Sequence, residues 1–422
     1  MRSPLRAVLR VVKADSRDGR QAMERLLSRG SLVLDAKVSS RAARIVQDVR
    51  RGGDKALLDK VRTLDRIDPG TVAGLALAPP AGDADRSILP GGFQEALERA
   101  IAAVERFHVP QVRTGYRVEE DGVELEERVT PLSRIAVYVP GGRASYPSTV
   151  VMTVVPARLA GVKEIVVATP PAGYHSTPAL RYALERLEVK EVWGMGGAQA
   201  VAALAYGTET IRRVDKIVGP GNAWVTAAKR LVAGDVAIDG LAGPSEVVIV
   251  ADGMDAGVDP DLVAADLLAQ AEHDPMAAAV LLTPDPRLAR AVSAAVDRQL
   301  GDLVIAATAG VARASLDNFG VALVVGSLEE ALAPRVSRAG AIFLGASTPE
   351  VFGDYIAGPS HVLPTCGSAR FASSLGVEDF LRRSHTVRFS AVAAGRRAAA
   401  AAILADAEGL PAHAAAARRR LA

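Results

Sequence analysis

The chain has 422 residues, of which 49% are hydrophobic, 23% are charged and only 4% are aromatic. This length predicts two or more domains, and this composition is that of a globular protein with ample apolar material for its cores. A net charge of +2, without a recognition motif beside the basic residues, argues against a nucleic-acid-binding protein.

Export signals and membrane spans are not predicted. The N-terminus is interrupted by Arg6, Arg10 and Lys13, which argues against a signal peptide. No apolar run approaches the length of a membrane span. Cys366 is the only cysteine, so no intramolecular disulfide can form; we interpret it as structural and expect a reducing, cytoplasmic environment without membrane partners.

The first third of the chain is predicted to be mainly helical. Residues 16–65 carry apolar residues at three- and four-residue spacing with a Gly-Gly break, and a further helix is predicted around 92–107. The segment "YRVEEDGVELEERVTPLS" alternates and turns at Asp121-Gly122, which predicts a β-hairpin.

From residue 134 onward the pattern changes to short apolar runs followed by glycine turns and helices. The runs are "RIAVYVP", "EIVVAT", "EVWGMG", "KIVGPG" and "EVVIVAD", then "AAVLLTPD", "GVALVVGS" and "GAIFLG". Predicted helices lie between them at 147–160, 176–187, 198–206 and 222–233, and a helical arm at 389–422 closes the chain. This alternation predicts parallel sheets covered by helices.

Three glycine turns connect a strand to a helix: "YVPGGRASYPS" (138–148), "GMGGAQA" (194–200) and "VGPGNAWVTAAK" (218–229). Glycine lets the backbone approach a ligand, and a helix start offers free N–H groups to an anion. Each alone is better explained as a plain tight turn. Three in one α/β half favour a dinucleotide or phosphate crevice.

The stretch "DLLAQAEHDP" places Gln270 and His273 on one face at the end of a helix that Asp259 and Pro260 begin. One interpretation is a polar helix end, where a histidine interacts favourably with the helix dipole. The other is half of a metal site. "GDYIAGPSHVLPT" adds Asp354 and His361, and "AEGLPAH" adds Glu408 and His413, which are ligand types suited to zinc.

Taken together, these strings resemble the histidinol dehydrogenase family from about residue 30 to the end. The resemblance rests on "YVPGGRASYPSTVVM", "GMGGAQAVAALAYGT", "KIVGPGNAWVTAAK", "LAGPSEV", "DLLAQAEHDP", "AGAIFLG", "GDYIAGPSHVLPT" and "AEGLPAH". It implies an oxidoreductase of histidine biosynthesis that converts L-histidinol to L-histidine through an aldehyde. Two NAD⁺ are reduced, and one zinc ion is held per site in an intertwined homodimer.

The resemblance also implies a role for individual residues. The zinc ligands would be Gln270, His273, Asp354 and His413, the last supplied by a swapped C-terminal arm of the other subunit. Ser245, His361 and Glu408 match substrate-contacting positions, together with the zinc ligands. Tyr138, Gln199 and Asn222 match positions that contact NAD.

The expected fold class is α/β, with two incomplete Rossmann-like parallel-sheet units and helical N- and C-terminal arms. We expect an N-terminal arm at 1–25 and a first unit from 26–136 together with 247–370. A second, NAD-side unit is expected at 137–246, and a C-terminal helical arm for dimerisation at 371–422.

One family motif is absent. The family carries a Glu-His pair in an "APEHL"-like string between a "SLEEAL"-like helix and "AGAIFLG", whereas this chain reads "VVGSLEEALAPRVSRAGAIFLG" (324–345). That pair is the family's catalytic base and its helper, and loss of a positioned base costs about 10²–10⁴ in rate. His361 with Glu408 is one replacement. The alternatives are an oxidoreductase for another small polar alcohol, a non-catalytic zinc and ligand binder, or a segment lost from the recorded sequence.

Overall fold

The structure is a computed structural model that describes residues 7–33, 35–77, 82–141, 146–303, 306–329 and 339–421. The strands are β1 (Arg10–Lys13), β2 (Ala76–Leu77), β3 (Tyr116–Glu120), β4 (Val123–Pro131), β5 (Arg134–Tyr138), β6 (Glu164–Thr169), β7 (Glu191–Gly194), β8 (Lys216–Val218), β9 (Ala237–Ile238), β10 (Glu246–Val250), β11 (Ala278–Thr283), β12 (Gly320–Val324) and β13 (Leu381–Phe389).

The α-helices are α1 (Arg17–Val33), α2 (Ala36–Lys60), α3 (Gly82–Ser87), α4 (Phe93–His108), α5 (Pro147–Leu159), α6 (Pro171–Ser176), α7 (Pro178–Arg186), α8 (Gly197–Tyr206), α9 (Ala223–Val232), α10 (Pro260–Ala271), α11 (Pro286–Asp302), α12 (Ala306–Phe319), α13 (Glu350–Tyr355), α14 (Ala391–Ala407) and α15 (Pro411–Arg418). None of the helices in the described residues has both the length and the apolar character needed to cross a bilayer.

The larger sheet has six strands in the order β2-β7-β6-β5-β8-β9, parallel except for β2. If the parallel strands are numbered 1 to 5 in chain order from β5 to β9, their order across the sheet is 3-2-1-4-5. This is the strand order of the dinucleotide-binding Rossmann fold. Every residue of β5 is buried, because helices cover both faces of a parallel sheet. Helices α2, α8 and α9 form one core with it, and α4, α5 and α7 form the other.

The smaller parallel sheet has the order β1-β12-β11-β10. Apolar side chains of α10, α11 and α12 pack on one face, and α1 covers part of the other. Within the described residues, β10 pairs on one side only, with β11, and Val248 in its middle is 55% exposed. This sheet is therefore an incomplete Rossmann unit. It is open along β10, its first strand, on the side where the fourth strand of a complete unit would pair.

A three-stranded antiparallel sheet, β13-β4-β3, stands beside the two units. Asp121 and Gly122 turn the hairpin with positive φ values of 49° and 74°, as a type I′ turn requires, so the predicted hairpin is confirmed. Strand β13 pairs with β4 along its whole length, and its side chains are almost all exposed. The arm expected to be helical at 371–422 thus contains a long strand, β13, before α14 and α15, which form within the predicted helical range 389–422.

The predicted α/β class with parallel sheets is confirmed, and most predicted strands form. "GAIFLG" was predicted as a strand, but residues 340–345 form no regular element, so that prediction is wrong. The described part of the expected N-terminal arm contains β1, an edge strand of the smaller sheet. Helix α2 lies within the range expected for the first unit, yet it packs on the larger sheet through Ile45 and Val49.

The core of the larger unit predicts a local effect on stability. Leu204 on α8 is fully buried, whereas Leu231 on α9 is 42% exposed. Leu204→Ala should lower the free energy of unfolding by about 2–5 kcal/mol, because it leaves a cavity, and Leu231→Ala should change it little. Urea denaturation followed by tryptophan fluorescence reports on this unit, since both tryptophans, Trp193 and Trp224, lie in it. Equal losses in the two variants would contradict the packing described here.

Candidate functional site

A cleft of about 3250 Å³ lies between the two parallel sheets. It exceeds the roughly 300–1,000 Å³ of a pocket for one small ligand, so it has room for a dinucleotide and a second molecule. Eight of the predicted site residues line it: Tyr138, Gln199, Asn222, Ser245, Gln270, His273, Asp354 and His361. Glu408 and His413 are not among the described residues that line it.

The wall formed by the larger sheet consists of the turns that follow β5, β7 and β8. Residues 142–145 of the first turn lie outside the described residues. In the third turn Gly219 has φ +106°, and a Cβ there would lie 2.2 Å from the carbonyl oxygen of Tyr138, so only glycine fits. The starts of α8 and α9 form part of this wall, and the positive ends of their helix dipoles favour an anion.

A buried ion pair holds the third turn in place. Lys229 Nζ donates to the carbonyl oxygen of Gly219 at 2.5 Å and to Asp239 Oδ1 at 2.6 Å. The other carboxylate oxygen of Asp239 accepts from the backbone N–H of Gly219 at 2.7 Å. Both side chains are nearly inaccessible to solvent. The backbone N–H and the carbonyl oxygen of Gly219 are therefore both held in place without a ligand.

Three predicted NAD-contacting residues lie on this wall. Tyr138 Oη accepts from Gly197 N at 3.1 Å, and burial raises the pKa of Tyr138 to about 12. Asn222 caps α9 by accepting from the N–H groups of residues 224 and 225. Gln199 Nε2 donates to Asp65 Oδ2 at 3.0 Å, and burial raises the pKa of Asp65. No sequence pattern pointed to Asp65, which reaches the wall from the helical segment after α2.

The opposite wall carries five of the seven residues predicted to bind metal and substrate. Asp259 caps α10 and Pro260 opens it, as expected, and Gln270 lies in its last turn. Gln270 Nε2 donates to Ser245 Oγ at 2.6 Å. That bond uses the amide nitrogen of Gln270. The amide oxygen, which is the atom that binds cations, takes no part in it.

His273 and Asp354 meet across this wall. His273 Nε2 lies 3.5 Å from Asp354 Oδ2, and the carboxylate raises the pKa of His273. Two ligands about 2.1 Å from a tetrahedral zinc ion are about 3.4 Å apart, so this spacing fits two neighbouring ligands of one ion. Within the described residues, however, no cluster of three or more His, Cys, Asp or Glu side chains is arranged to hold a metal.

His361 is held by the main chain of the same segment. Its Nδ1 lies 3.0 Å from the carbonyl oxygen of Asp354. A carbonyl oxygen only accepts, so Nδ1 carries the proton and Nε2 keeps its lone pair. Burial lowers the pKa of His361, which keeps the imidazole neutral near neutral pH. The ring is therefore prepared to accept a proton at Nε2.

Glu350 also belongs to this wall, although the sequence analysis missed it. It lies four residues before Asp354 on α13, and one of its carboxylate oxygens is buried without a hydrogen-bond partner in the described residues. Burial first, and then the charge of Asp354, raise the pKa of Glu350 to about 7. The i, i+4 spacing to Asp354 was the available sequence signal.

The single chain does not bring Glu408 and His413 to the other site residues. Glu408 ends α14 and His413 lies on α15, and both are exposed. Part of the segment read as lacking the family's Glu-His pair, residues 330–338, lies outside the described residues. One Glu-His dipeptide does occur, at Glu272-His273, but Glu272 is exposed and its histidine already faces Asp354.

Comparison with known proteins gives a consistent result. A family model described as histidinol dehydrogenase matches residues 29–334 and 330–421. A protein from Nostoc sp. named histidinol dehydrogenase 2 is 45% identical over 404 residues, which cover 89% of this chain and 91% of that protein. One from Geobacter sulfurreducens named histidinol dehydrogenase is 44% identical over 391 residues, with 87% and 90% covered.

The fold agrees with the sequence matches. The crystal structure of histidinol dehydrogenase from Elizabethkingia anophelis superposes with a TM-score of 0.82 at 29% identity and covers 98% of both chains. The arrangement of sheets and helices described above is therefore shared with a solved member of that family.

Glu350 predicts a pH-dependent effect in the metal-free protein. Its folded-state pKa of about 7 lies above the ordinary 4.5, so ionisation opposes folding as pH rises between these values. Glu350→Gln should therefore stabilise the protein by on the order of 1 kcal/mol at about pH 8, and change little at about pH 4. Thermal denaturation in the presence of a chelator measures this. The exposed Glu272→Gln is the matched control; the same gain there would refute the assignment to Glu350.

Proposed function

Because this chain belongs to the histidinol dehydrogenase family, we propose that it oxidises L-histidinol to L-histidine through histidinal and reduces two NAD⁺. The observation that carries the proposal is the convergence of Ser245, Gln270, His273, Asp354 and His361 on one wall of the cleft, opposite Tyr138, Gln199 and Asn222. A polar alcohol on the first wall would face a nicotinamide held on the second.

The donor set fits zinc. Gln270, His273 and Asp354 would hold it, with His413 of the partner subunit as the fourth ligand. When bound, zinc supplies a cation that takes the imidazole and amino nitrogens of the substrate and so orients the reacting carbon. The neutral amide of Gln270 keeps the site more positive than a third carboxylate would. The C-terminal end of α10, which carries Gln270, favours a cation through its dipole.

His361 is the proposed base. In the first oxidation its Nε2 accepts the proton of the substrate hydroxyl while the carbon transfers a hydride to NAD⁺. In the second, it accepts a proton from water, whose oxygen adds to the aldehyde carbon; the hydrate then transfers its hydride to the second NAD⁺. The hydrogen bond from Nδ1 to the Asp354 carbonyl fixes the ring for both steps. Glu408 would assist from the C-terminal arm.

A second candidate is a zinc and ligand binder without catalysis. It is favoured by the missing Glu-His motif, and the two segments of the family match meet at residues 330–334, where that motif is expected. Such a protein would bind one zinc per subunit without reducing NAD⁺ in the presence of histidinol.

A related dehydrogenase for another small polar alcohol would instead release NADH with that alcohol. A screen of NADH release across alcohols distinguishes this enzyme from a histidinol dehydrogenase.

Removal of the proposed base gives the first functional test. His361→Ala should lower kcat for NADH formation from histidinol by about 10²–10⁴ and leave the zinc content unchanged. Because burial lowers the pKa of His361 from 6.5, the wild-type rate should persist on the acid side of that value and fall only when the imidazole is protonated. Turnover unaffected by the substitution would remove His361 from the mechanism.

Subunit mixing tests the shared site. His273→Ala and His413→Ala should each be inactive, since each removes one ligand from every site. After dissociation and reassociation of a mixture, half of the dimers are mixed, and each has one intact site if the arms are swapped. Activity should then return to about a quarter of the wild-type value. A site built within one chain would give no recovery at any mixing ratio.

A further inference from the structure

Arg29 is a buried cation outside the residues discussed so far. It lies near the end of α1 and has the largest fully buried side chain described, with 1% exposed. Charged side chains are rarely buried unless they are bound on several sides. Its position far from the glycine turns and the family motifs gave no reason to select it from the sequence.

The guanidinium of Arg29 binds the main chain of two separate segments. Nη1 donates to the carbonyl oxygens of Ser245 at 3.1 Å and Met276 at 3.3 Å. Nη2 donates to the carbonyl oxygen of Pro244 at 3.2 Å and pairs with the Glu246 carboxylate. One planar group thus joins the entry to β10 with the turn between α10 and β11.

These two segments carry or adjoin three of the proposed metal and substrate residues. Ser245 lies in the first, and its hydroxyl oxygen accepts from Gln270. His273 lies three residues before Met276 in the second. The spacing between the two segments sets where Ser245, Gln270 and His273 point, and Arg29 binds both segments through their main-chain carbonyls.

We infer that Arg29 is a positioning residue for the metal and substrate cluster, which it holds in register through the main-chain carbonyls of Ser245 and Met276. This inference rests on the proposed function. Two separate nitrogens of Arg29 reach the three carbonyls, whereas the three donors of a lysine ammonium diverge from one atom and do not reproduce this planar fork. Glu246 is 43% exposed, so solvent partly screens its charge. The three carbonyl oxygens therefore provide much of the stabilisation of the buried Arg29 charge.

Arg25 provides a matched control on the same helix. Its guanidinium lies 5.5 Å from the centre of the Phe319 ring, and that of Arg29 lies 5.9 Å from the same ring. Arg25 is exposed, and no hydrogen bond from it to the two segments is seen in the described residues. Variants at the two positions therefore differ chiefly in the contact with residues 244–246 and 276.

The test compares full-length wild-type protein with R29K, R29M and R25M. Zinc affinity is measured by chelator competition, and NAD⁺ affinity by tryptophan fluorescence. R29M should weaken zinc binding by about 10–100-fold, as loss of a residue behind the ligands does, and R29K should weaken it less. NAD⁺ affinity should stay within about twofold, because its proposed residues lie on the other sheet. R25M should match the wild type.

Two results would overturn the inference. One is unchanged zinc affinity in folded R29M or R29K. The other is an equal loss of zinc and NAD⁺ affinity, which indicates general destabilisation. R29K keeps the buried charge and is used if R29M does not fold.

If the wild type itself binds no zinc, the proposed function fails. Hydrogen exchange in peptides spanning 243–247 and 273–277 then tests the role of Arg29 without zinc. Faster exchange in R29M or R29K, but not in R25M, supports the inference, and unchanged exchange refutes it.

Discussion

Opposite ends of two parallel sheets meet at one cleft, and the chemistry of the site depends on this constraint. The larger sheet presents its carboxyl ends, so the starts of α8 and α9 face the cleft. The smaller sheet presents its amino ends, because Ser245 precedes β10 and the last turn of α10 leads into β11. Helix starts are partly positive and helix ends partly negative. The cleft therefore has one wall suited to an anionic cofactor and one suited to a cation.

Each wall depends on a buried cation that binds its loops. Lys229 binds the carbonyl of Gly219 and the Asp239 carboxylate, and Arg29 binds three carbonyls and Glu246. Loops next to ligands are short of backbone partners, since they belong to neither sheet nor helix. A buried donor that reaches a loop carbonyl and a carboxylate restores such partners and fixes the loop. The two walls thus use the same physical solution with different residues.

Sequence patterns predicted the regular parts well and the connections poorly. Strands such as β5 and β6 are continuous apolar runs, and the Asp121-Gly122 turn has a specific backbone requirement, so both could be predicted locally. "GAIFLG" is equally apolar, yet a strand needs a neighbour to pair with, and pairing is not a local property. Asp65 and Arg29 reach the cleft only through the packing of distant segments. The motifs identified Gln270, His273 and Asp354, while only the structure gave their distances.

The one-sided pairing of β10 has a consequence for handling the molecule. Along its outer side, in the part of the chain that the structure describes, peptide groups face no neighbouring strand, and Val248 adds an apolar surface there. Such an edge is a template onto which a strand of another molecule can add. Strand addition at this edge would also obstruct the cleft, because Val248 lines it, and a lysine in place of Val248 would oppose the association.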